Sequence, residues 1–280
     1  MVVSKSTNNE EKIPQIIHYC WFGKGKKPEI FEKCIQSWKI YMPQAQIVEW
    51  NESNIDVSSC PFVKMAYENK KYAFVTDVVR LQVVYKYGGV YLDTDVELST
   101  SLDDLMEYDA FFFFQNQNQI NTGQGFGAKP NNKLIKKMLD DYENMEFTLE
   151  NLKNIACPVI NTKTIKKSLP SFKSNNTVQH IDKMIFLPCD NYWPIAIHYG
   201  EFSWQDEEQR KALKYANRTH KAGWFRKILL NPSISFFLER HRLQLALKVY
   251  TFLVYDLVDY GIIYWIVRVY NKVKKSMGLK

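Results

Sequence analysis

The sequence predicts an α/β fold built around a parallel sheet. Residues 13–23, IPQIIHYCWFG, are rich in β-branched and aromatic side chains and end at a glycine, which indicates a strand. After Pro28, residues 29–43 carry apolar side chains at helical spacing, and residues 45–50 indicate a second, short strand. A strand, a helix and a strand in this order are typical of a βαβ unit, whose two strands run parallel.

Helices and strands continue to alternate through the middle of the chain. Helices are expected at 61–67, 71–87 and 132–145, strands at 90–98 and 109–117, and a glycine-rich loop at 119–132. Gly88 and Gly89 supply a stop for the helix at 71–87. In an extended 90–98, VYLDTDVEL, the side chains of Asp93 and Asp95 would project from the same face.

Length and composition predict one large domain with an appendage. The chain has 280 residues, of which 46% are hydrophobic, so it can bury a sizeable core. We expect a flexible tail at 1–12, a main domain at 13–225 and a basic, amphipathic helical region at 226–280. The net charge of +7 is compatible with nucleic acid, anionic lipid or phosphorylated substrates as partners, or with solubility alone.

Cysteine usage and hydropathy favour a cytoplasmic protein. The five cysteines are odd in number, widely spaced and never form a CxxC pair, which excludes a disulfide framework and a cysteine zinc site. The start of the chain, MVVSKSTNNEEK, lacks the apolar core of a signal peptide. No apolar run approaches the roughly 18 residues of a membrane span.

The end of the chain differs in composition from the rest. Beyond Pro232, aliphatic and aromatic residues dominate, and the last residues are basic without an acid. This pattern favours amphipathic helices on the inner face of the cytoplasmic membrane, attracted to anionic lipid. The alternative is a pair of helices that pack on the domain. No nucleic-acid recognition module is present in the sequence, so we expect no nucleic-acid partner.

Two pairs of charged residues are candidates for chemistry. Carboxylates as close as Asp93 and Asp95 repel each other unless a cation or proton lies between them, and Mg²⁺ or Mn²⁺ prefers such oxygen ligands. The alternative is a solvated strand end. Asp77 and Arg80 share one face of a helix that is apolar almost all round, so they are buried and must be paired or used. They form either a structural ion pair or a binding site for ligand hydroxyls.

These residues carry a resemblance to a known family. The run TDVVRLQVVYKYGGVYLDTDVEL, residues 76–98, is similar to the DXD-containing region of glycosyltransferase family 32. That family includes yeast-type α-1,6-mannosyltransferases and bacterial capsular polysaccharide synthesis enzymes, and the clostridial glucosylating toxins share its core pattern. The pattern is S/T-D-x-x-R followed by G-G-x-Y-x-D-x-D. Residues 13–23 also resemble the family's opening strand, and the resemblance covers about 13–225.

The resemblance implies a GT-A-like fold and a role for each matching residue. Asp95 would be the principal metal ligand, and Asp93 would hold the ribose or the donor sugar beside the metal. Asp77 and Arg80 would bind hydroxyls of the donor sugar. The catalytic set is then Asp77, Arg80, Asp93 and Asp95, and the donor-binding set is Trp21, Asp77, Arg80, Tyr91 and Asp93, with Trp21 stacked on the base. The glycine-rich loop at 119–132 lies where the family places residues that face the acceptor, and the alternative is an ordinary flexible loop.

The third metal ligand stays open between two histidines. The family closes its site with a segment resembling I-H-x-x-x-x-S-W. AIHYGEFSW, residues 196–204, offers His198 with this spacing. YANRTHKAGW, residues 215–224, offers His220 with a shorter gap but at a greater distance beyond the NYWP motif. This order favours His220, with His198 as the alternative.

The resemblance implies a metal-dependent, retaining glycosyltransferase. It would use Mn²⁺ or Mg²⁺ and a nucleotide-diphosphate sugar, a UDP-sugar in preference to a GDP-sugar. The expected acceptor is a glycan, most naturally a lipid-linked oligosaccharide of capsular or surface polysaccharide synthesis. The alternative is a non-catalytic carbohydrate- or lipid-binding protein that has kept the fold.

Overall fold

The computed structural model describes residues 12–192 and 195–199. The α-helices in these residues are α1 (Glu29–Tyr41), α2 (Pro61–Glu68), α3 (Tyr72–Tyr87), α4 (Lys133–Glu143), α5 (Leu152–Ile155), α6 (Cys157–Ser168) and α7 (Cys189–Tyr192), and short 3-10 helices span Asp103–Glu107 and Leu149–Asn151. The strands are β1 (Ile16–Cys20), β2 (Gln46–Trp50), β3 (Gly89–Tyr91), β4 (Val96–Leu98), β5 (Ala110–Phe113), β6 (Phe126–Ala128), β7 (Gln179–Ile181), β8 (Met184–Leu187) and β9 (Ala196–His198). The predicted tail, apart from Lys12, lies outside these residues, as do His220 and the region at 226–280.

Seven of these strands form one mixed sheet, in the order β2-β1-β3-β6-β5-β8-β7. β1 runs parallel to β2 and to β3, and β5 runs parallel to β8. β6 is antiparallel to both of its neighbours, and β7 is antiparallel to β8. The predicted α/β class is confirmed, and the predicted βαβ unit is β1–α1–β2. β4 and β9 form a separate, two-stranded antiparallel sheet.

The single strand predicted at 90–98 is wrong. β3 ends at Tyr91, β4 begins at Val96, and the two strands belong to different sheets. Between them the chain turns, and the N–H of Val96 donates to the carbonyl of Asp93 at 3.0 Å. Aspartate and threonine favour such turns because their side chains compete with the backbone for hydrogen bonds. The two aspartates are therefore brought together by a turn and not by strand alternation.

The loop predicted at 119–132 contains a central strand of the sheet. β6 lies between β3 and β5, although glycine is depleted in strands and the sequence therefore predicts a loop. The reason for the glycine is close packing. A Cβ on Gly127 would lie 2.4 Å from the Phe111 ring, so only glycine fits beneath that side chain.

The turn from α3 into β3 needs glycine at two positions. Gly88 has φ 65° and Gly89 has φ 102°, a region that side chains disfavour. A Cβ on Gly88 would also lie 2.8 Å from the Pro14 ring. The turn thus reverses the chain after α3 and sends β3 back beside β1, as the two glycines predict.

A buried histidine holds this turn in place. The side chain of His18, on β1, is fully buried. Its Nε2 lies 2.8 Å from the carbonyl of Gly88, and its Nδ1 accepts from the indole N–H of Trp50 at 3.0 Å. Burial lowers the pKa of His18 to about 4, so the ring is neutral and donates through Nε2. His18 therefore links β1, β2 and the end of α3.

β1, β2 and β3 run parallel, so their carboxyl ends meet at one edge of the sheet. That edge is where α/β folds bind ligands.

None of the helices in residues 12–192 and 195–199 is both long and apolar enough to cross a membrane.

Candidate active site

Arg80 is the centre of a buried charge network at this edge. Its side chain is 4% exposed, and Nη2 lies 3.2 Å from an oxygen of Asp77 and 3.4 Å from an oxygen of Asp93. Nε donates to the carbonyl of Thr76 at 3.1 Å, one turn earlier on α3. One guanidinium therefore contacts two carboxylates that approach from different elements. A buried charge is tolerated only when it is paired in this way.

Tyr91 joins the same network. Its ring lies beneath the guanidinium of Arg80, with Cζ 4.8 Å from the ring centroid. Its hydroxyl donates to Asp93 at 2.7 Å. Cation–π contact and hydrogen bond together fix the positions of both charged partners. Tyr91 is thus more than a packing residue of β3, since it orients the first aspartate of the pair.

Asp77 lies at the N-terminus of α6. Its carboxylate accepts hydrogen bonds from the backbone N–H and the thiol of Cys157, the first residue of that helix. The partial positive charge of a helix N-terminus stabilises an anion there. Burial nevertheless raises the pKa of Asp77 to about 6, against the opposing effect of Arg80. Asp77 is therefore an acceptor whose ionisation depends on Arg80.

The glycine-rich loop forms a wall over this network. A Cβ on Gly123 would lie 2.8 Å from Nη1 of Arg80 and 2.8 Å from Oδ2 of Asp93. The N–H of Gly123 donates to the side-chain oxygen of Asn121 at 2.7 Å, and the Cys157 thiol lies 3.5 Å from that oxygen. Thr162 and Asn161 of α6 also bond the loop, at Ile120 and Thr122. Helix α6 therefore supports both Asp77 and the loop.

A second cluster, which we call the metal cluster, consists of Asp93, Asp95 and His198. One ligand atom from each of these residues lies within 4.8 Å of the others. Nε2 of His198 is 3.3 Å from a carboxylate oxygen of Asp95. His198 arrives here because β9 pairs with β4, with His198 opposite Val96. The turn after β3 supplies the two aspartates.

The donor set fits a divalent cation. Two carboxylates and an imidazole suit Mn²⁺, and the carboxylates suit Mg²⁺. Asp93 is 26% exposed and Asp95 12% in their side chains, so the cluster is accessible from one side. Burial raises the pKa of Asp93. The charge of Arg80 lowers this pKa, and the negative charge of the neighbouring Asp95 raises it further. A cation between the carboxylates would relieve this repulsion.

A cleft of about 560 Å³ adjoins the same sheet edge. Its wall includes Trp21, directly after β1, and Glu49 and Asn51 at the end of β2. The indole N–H of Trp21 donates to the carbonyl of Gly25 at 2.8 Å, which fastens the basic loop at 24–27 to the ring. A half-buried indole beside carboxylate and amide groups can stack on a base and offer hydrogen bonds to its edge.

The structure brings most of the predicted site residues to one place. One bonded network contains Asp77, Arg80, Tyr91 and Asp93. Asp93 also belongs to the metal cluster. The cluster also contains His198, which the sequence offered as the alternative, while the favoured His220 lies outside the described residues. Trp21 lies in the adjoining cleft.

Sequence reasoning missed Cys157 and Asn121. Pro158 at the start of α6 signals a helix N-terminus, which could have pointed to Cys157. No local signal places that terminus against Asp77, because the contact joins segments 80 residues apart in the chain.

A family model decides the membership of this chain. The model described as "Capsular polysaccharide synthesis protein" matches residues 2–154, more than half of the chain. The chain belongs to the capsular polysaccharide synthesis protein family. The match includes the opening strand, the Arg80 network and both aspartates of the metal cluster. His198, the third member of the metal cluster, lies beyond the matched residues.

Two relatives are mannosyltransferases of Schizosaccharomyces pombe. Inositol phosphoceramide mannosyltransferase 3 is 34% identical over 112 residues, which cover 38% of this chain and 30% of the relative. Inositol phosphoceramide mannosyltransferase 1 is 23% identical over 141 residues, which cover 45% of this chain and 41% of the relative. The matches thus span less than half the length of these relatives.

Among solved structures, the chain is similar to the PaToxG glycosyltransferase. The TM-score is 0.49 and the sequence identity 18%, with 57% of this chain and 71% of the other covered.

Proposed function

We propose that this member of the capsular polysaccharide synthesis protein family is a metal-dependent glycosyltransferase. It moves a sugar from a nucleotide-diphosphate sugar to a glycan acceptor. The observation that carries the proposal is the junction of the buried Asp77–Arg80 pair with the metal cluster of Asp93, Asp95 and His198. The family membership and the two mannosyltransferase relatives support the same reaction class.

The network around Arg80 has the chemistry of a sugar-binding site. Asp77 accepts and Arg80 donates, so together they match the hydroxyls of a hexose, which both donate and accept. Asp93 connects this pair to the metal cluster, because it contacts Arg80 and is itself a candidate ligand. The transferred sugar would then lie between the buried pair and the diphosphate, with its orientation fixed on two sides.

The metal cluster would hold Mn²⁺ or Mg²⁺ through Asp95, Asp93 and His198. A bound cation supplies charge neutralisation for the leaving diphosphate. We propose the retaining course of front-face attack, in which no protein nucleophile is needed and the leaving diphosphate accepts the proton of the acceptor. The residues named here bind and orient the donor, and none of them forms a covalent bond to it.

Trp21 and the adjoining cleft are the proposed place of the base. We take a UDP-sugar as the first donor to test. Mannosyl donors enter the panel because the relatives are named mannosyltransferases. Glu49 and Asn51 would face the polar edge of the base from the end of β2.

The test is donor turnover by the purified chain with Mn²⁺ and a panel of UDP- and GDP-sugars. We expect release of the nucleoside diphosphate to require the cation and to fall roughly 10²- to 10³-fold in Asp95→Asn. Asp104→Asn, at an exposed acid that belongs neither to the Arg80 network nor to the metal cluster, is the matched control. Metal-independent turnover that survives Asp95→Asn would refute the metal assignment. Calorimetric binding without turnover on any donor would favour a carbohydrate-binding protein that lacks activity.

We further propose that the acceptor is a lipid-linked oligosaccharide of capsular or surface polysaccharide synthesis. The family description supports this role, and the basic, aromatic-rich sequence at 226–280 supports contact with the inner face of the cytoplasmic membrane. Deleting residues 231–280 should release the protein from anionic liposomes in a flotation assay. Equal partitioning of the full chain and the shortened chain would rule out this role for the segment.

A further inference from the structure

We propose that Lys33, Glu97 and Tyr199 form a clamp that positions His198 as a ligand of the metal cluster. This inference rests on the proposed metal site and names residues outside it. The hydroxyl of Tyr199 donates to Glu97 at 2.5 Å. The ammonium of Lys33 donates to the Tyr199 hydroxyl at 2.8 Å and to Glu97 at 2.8 Å. The three groups close a triangle, which we call the α1 clamp.

The α1 clamp includes Tyr199, the residue that directly follows His198, and holds it in place. Tyr199 is the last described residue after β9, and its backbone N–H donates to the carbonyl of Asp95 at 2.9 Å. Its backbone is thus bonded to one ligand of the cluster, and its side chain is bonded to β4 and α1. Fixing Tyr199 on both sides fixes the backbone of His198 beside Asp95.

The sheet that carries His198 needs such support. An isolated two-stranded sheet is marginally stable at best in water. On the edge of β4 that faces away from β9, α1 takes the place of a third strand. Ser37 accepts from the N–H of Leu98 at 2.9 Å, and the indole N–H of Trp38 donates to the carbonyl of Val96 at 2.8 Å. These bonds hold β4 to the helix, while β9 is held by β4.

Lys33 extends the same helix face toward β9. It precedes Ser37 by four residues, about one helical turn, so these two side chains lie on the same side of α1. Ser37 and Trp38 contact β4, and Lys33 contacts both Glu97 of β4 and Tyr199. The clamp therefore links α1 directly to the residue that follows the metal ligand.

The bonds that Lys33 makes in the clamp differ in expected strength from the bond between Tyr199 and Glu97. Lys33 is 57% exposed, and exposed ion pairs contribute little because water and salt screen them. Glu97 is 19% exposed, so its bond to the Tyr199 hydroxyl is the better shielded contact. Loss of the Tyr199 hydroxyl should therefore matter more than loss of the Lys33 charge.

The test measures Mn²⁺ binding directly, by the electron paramagnetic resonance signal of unbound Mn²⁺. Residues that orient a metal ligand typically change metal affinity by 10- to 100-fold. We expect Tyr199→Phe to weaken Mn²⁺ binding about 10-fold, at the low end of that range, and Lys33→Met to weaken it about 2-fold. Lys39→Met, on an exposed position of the same helix, should bind Mn²⁺ like the unaltered protein.

A double-mutant cycle separates positioning from general support of the fold. In a His198→Ala background, Tyr199→Phe should cause no further loss of Mn²⁺ affinity, because the ligand that the clamp positions is gone. An equal loss in both backgrounds, together with a lower thermal midpoint of the metal-free protein, would show a structural role and overturn the inference.

The outcomes also separate this inference from the proposed metal site. If the unaltered protein binds Mn²⁺ no better than Asp95→Asn does, the metal site is wrong and the clamp falls with it. If the unaltered protein binds Mn²⁺, Asp95→Asn does not, and Tyr199→Phe matches the unaltered protein, the metal site stands and the clamp alone is wrong.

Discussion

The two halves of the candidate site are built in different ways. The buried half, Asp77 with Arg80 and Tyr91, is proposed to bind the sugar and is enclosed by the main sheet and its helices. The metal half depends on His198, which is 22% exposed and arrives on a two-stranded sheet held by helix side chains. Buried charge networks are costly to disrupt, whereas peripheral strands open locally. The buried half is therefore tied to global stability and the metal half to local stability.

The largest effect is expected from removing the charge at the centre of the buried half. Arg80→Met would leave Asp77 and Asp93 facing each other without their shared cation. Breaking a buried charge network by removing one partner typically costs about 3–5 kcal/mol in the free energy of unfolding. Urea unfolding should show this loss at pH 8. The loss should be smaller near pH 5, where Asp77 can take up a proton and so lose its unpaired charge.

Lys86→Met, on an exposed position of the same helix, is the control and should change the free energy of unfolding by less than about 0.5 kcal/mol. A similar small change in Arg80→Met would mean that the network is not integral to the fold. The contrast between the two halves would then disappear.

The sequence predicts the buried half well because its determinants are local. Asp77 and Arg80 lie one turn apart on a helix, two glycines force the chain back, and the aspartates follow within a few residues. The pattern therefore nearly fixes the geometry, even though 90–98 is not one strand. Cys157 shows where this local reasoning ends, since its contact with Asp77 comes from tertiary packing.

The metal half could not be predicted from local sequence in the same way. The choice between His198 and His220 depends on which segment pairs with β4, about 100 residues earlier in the chain. Three-residue strands such as β4 and β9 carry almost no periodic signal. Motif order pointed to His220, whereas backbone pairing brings His198 to Asp95.

A smaller loss of stability is expected when the pH falls far enough to protonate His18, which holds the turn that connects α3 to β3. The pKa of His18 is lowered by burial from 6.5 to about 4, so the unfolded chain takes up the proton first. The contribution of His18 is complete above pH 6.5 and is lost as the pH falls through 4. The lowering corresponds to about 3 kcal/mol in the free energy of unfolding.

This prediction is checked by urea unfolding from pH 7 to pH 4 in the unaltered protein and in His18→Gln. Glutamine keeps a donor and an acceptor but does not titrate, so the difference between the two curves isolates the histidine. The difference should shrink as the pH falls. Parallel curves would mean that His18 keeps its ordinary pKa and that the turn does not depend on a neutral ring.

The smallest effect on global stability is expected from breaking the hydrogen bond by which α1 holds β4. Ser37→Ala removes the acceptor of the Leu98 N–H, a buried group whose unmet hydrogen bond costs about 1–3 kcal/mol. Because β4 and β9 lie outside the main sheet, we expect this cost to appear as local opening and not as global unfolding. Hydrogen exchange at Leu98 and Tyr199 should become roughly 10-fold faster, while amides in β1 keep their rates. Equal acceleration in both sheets would show that the metal half unfolds together with the core, and that its position is as firmly built as that of Arg80.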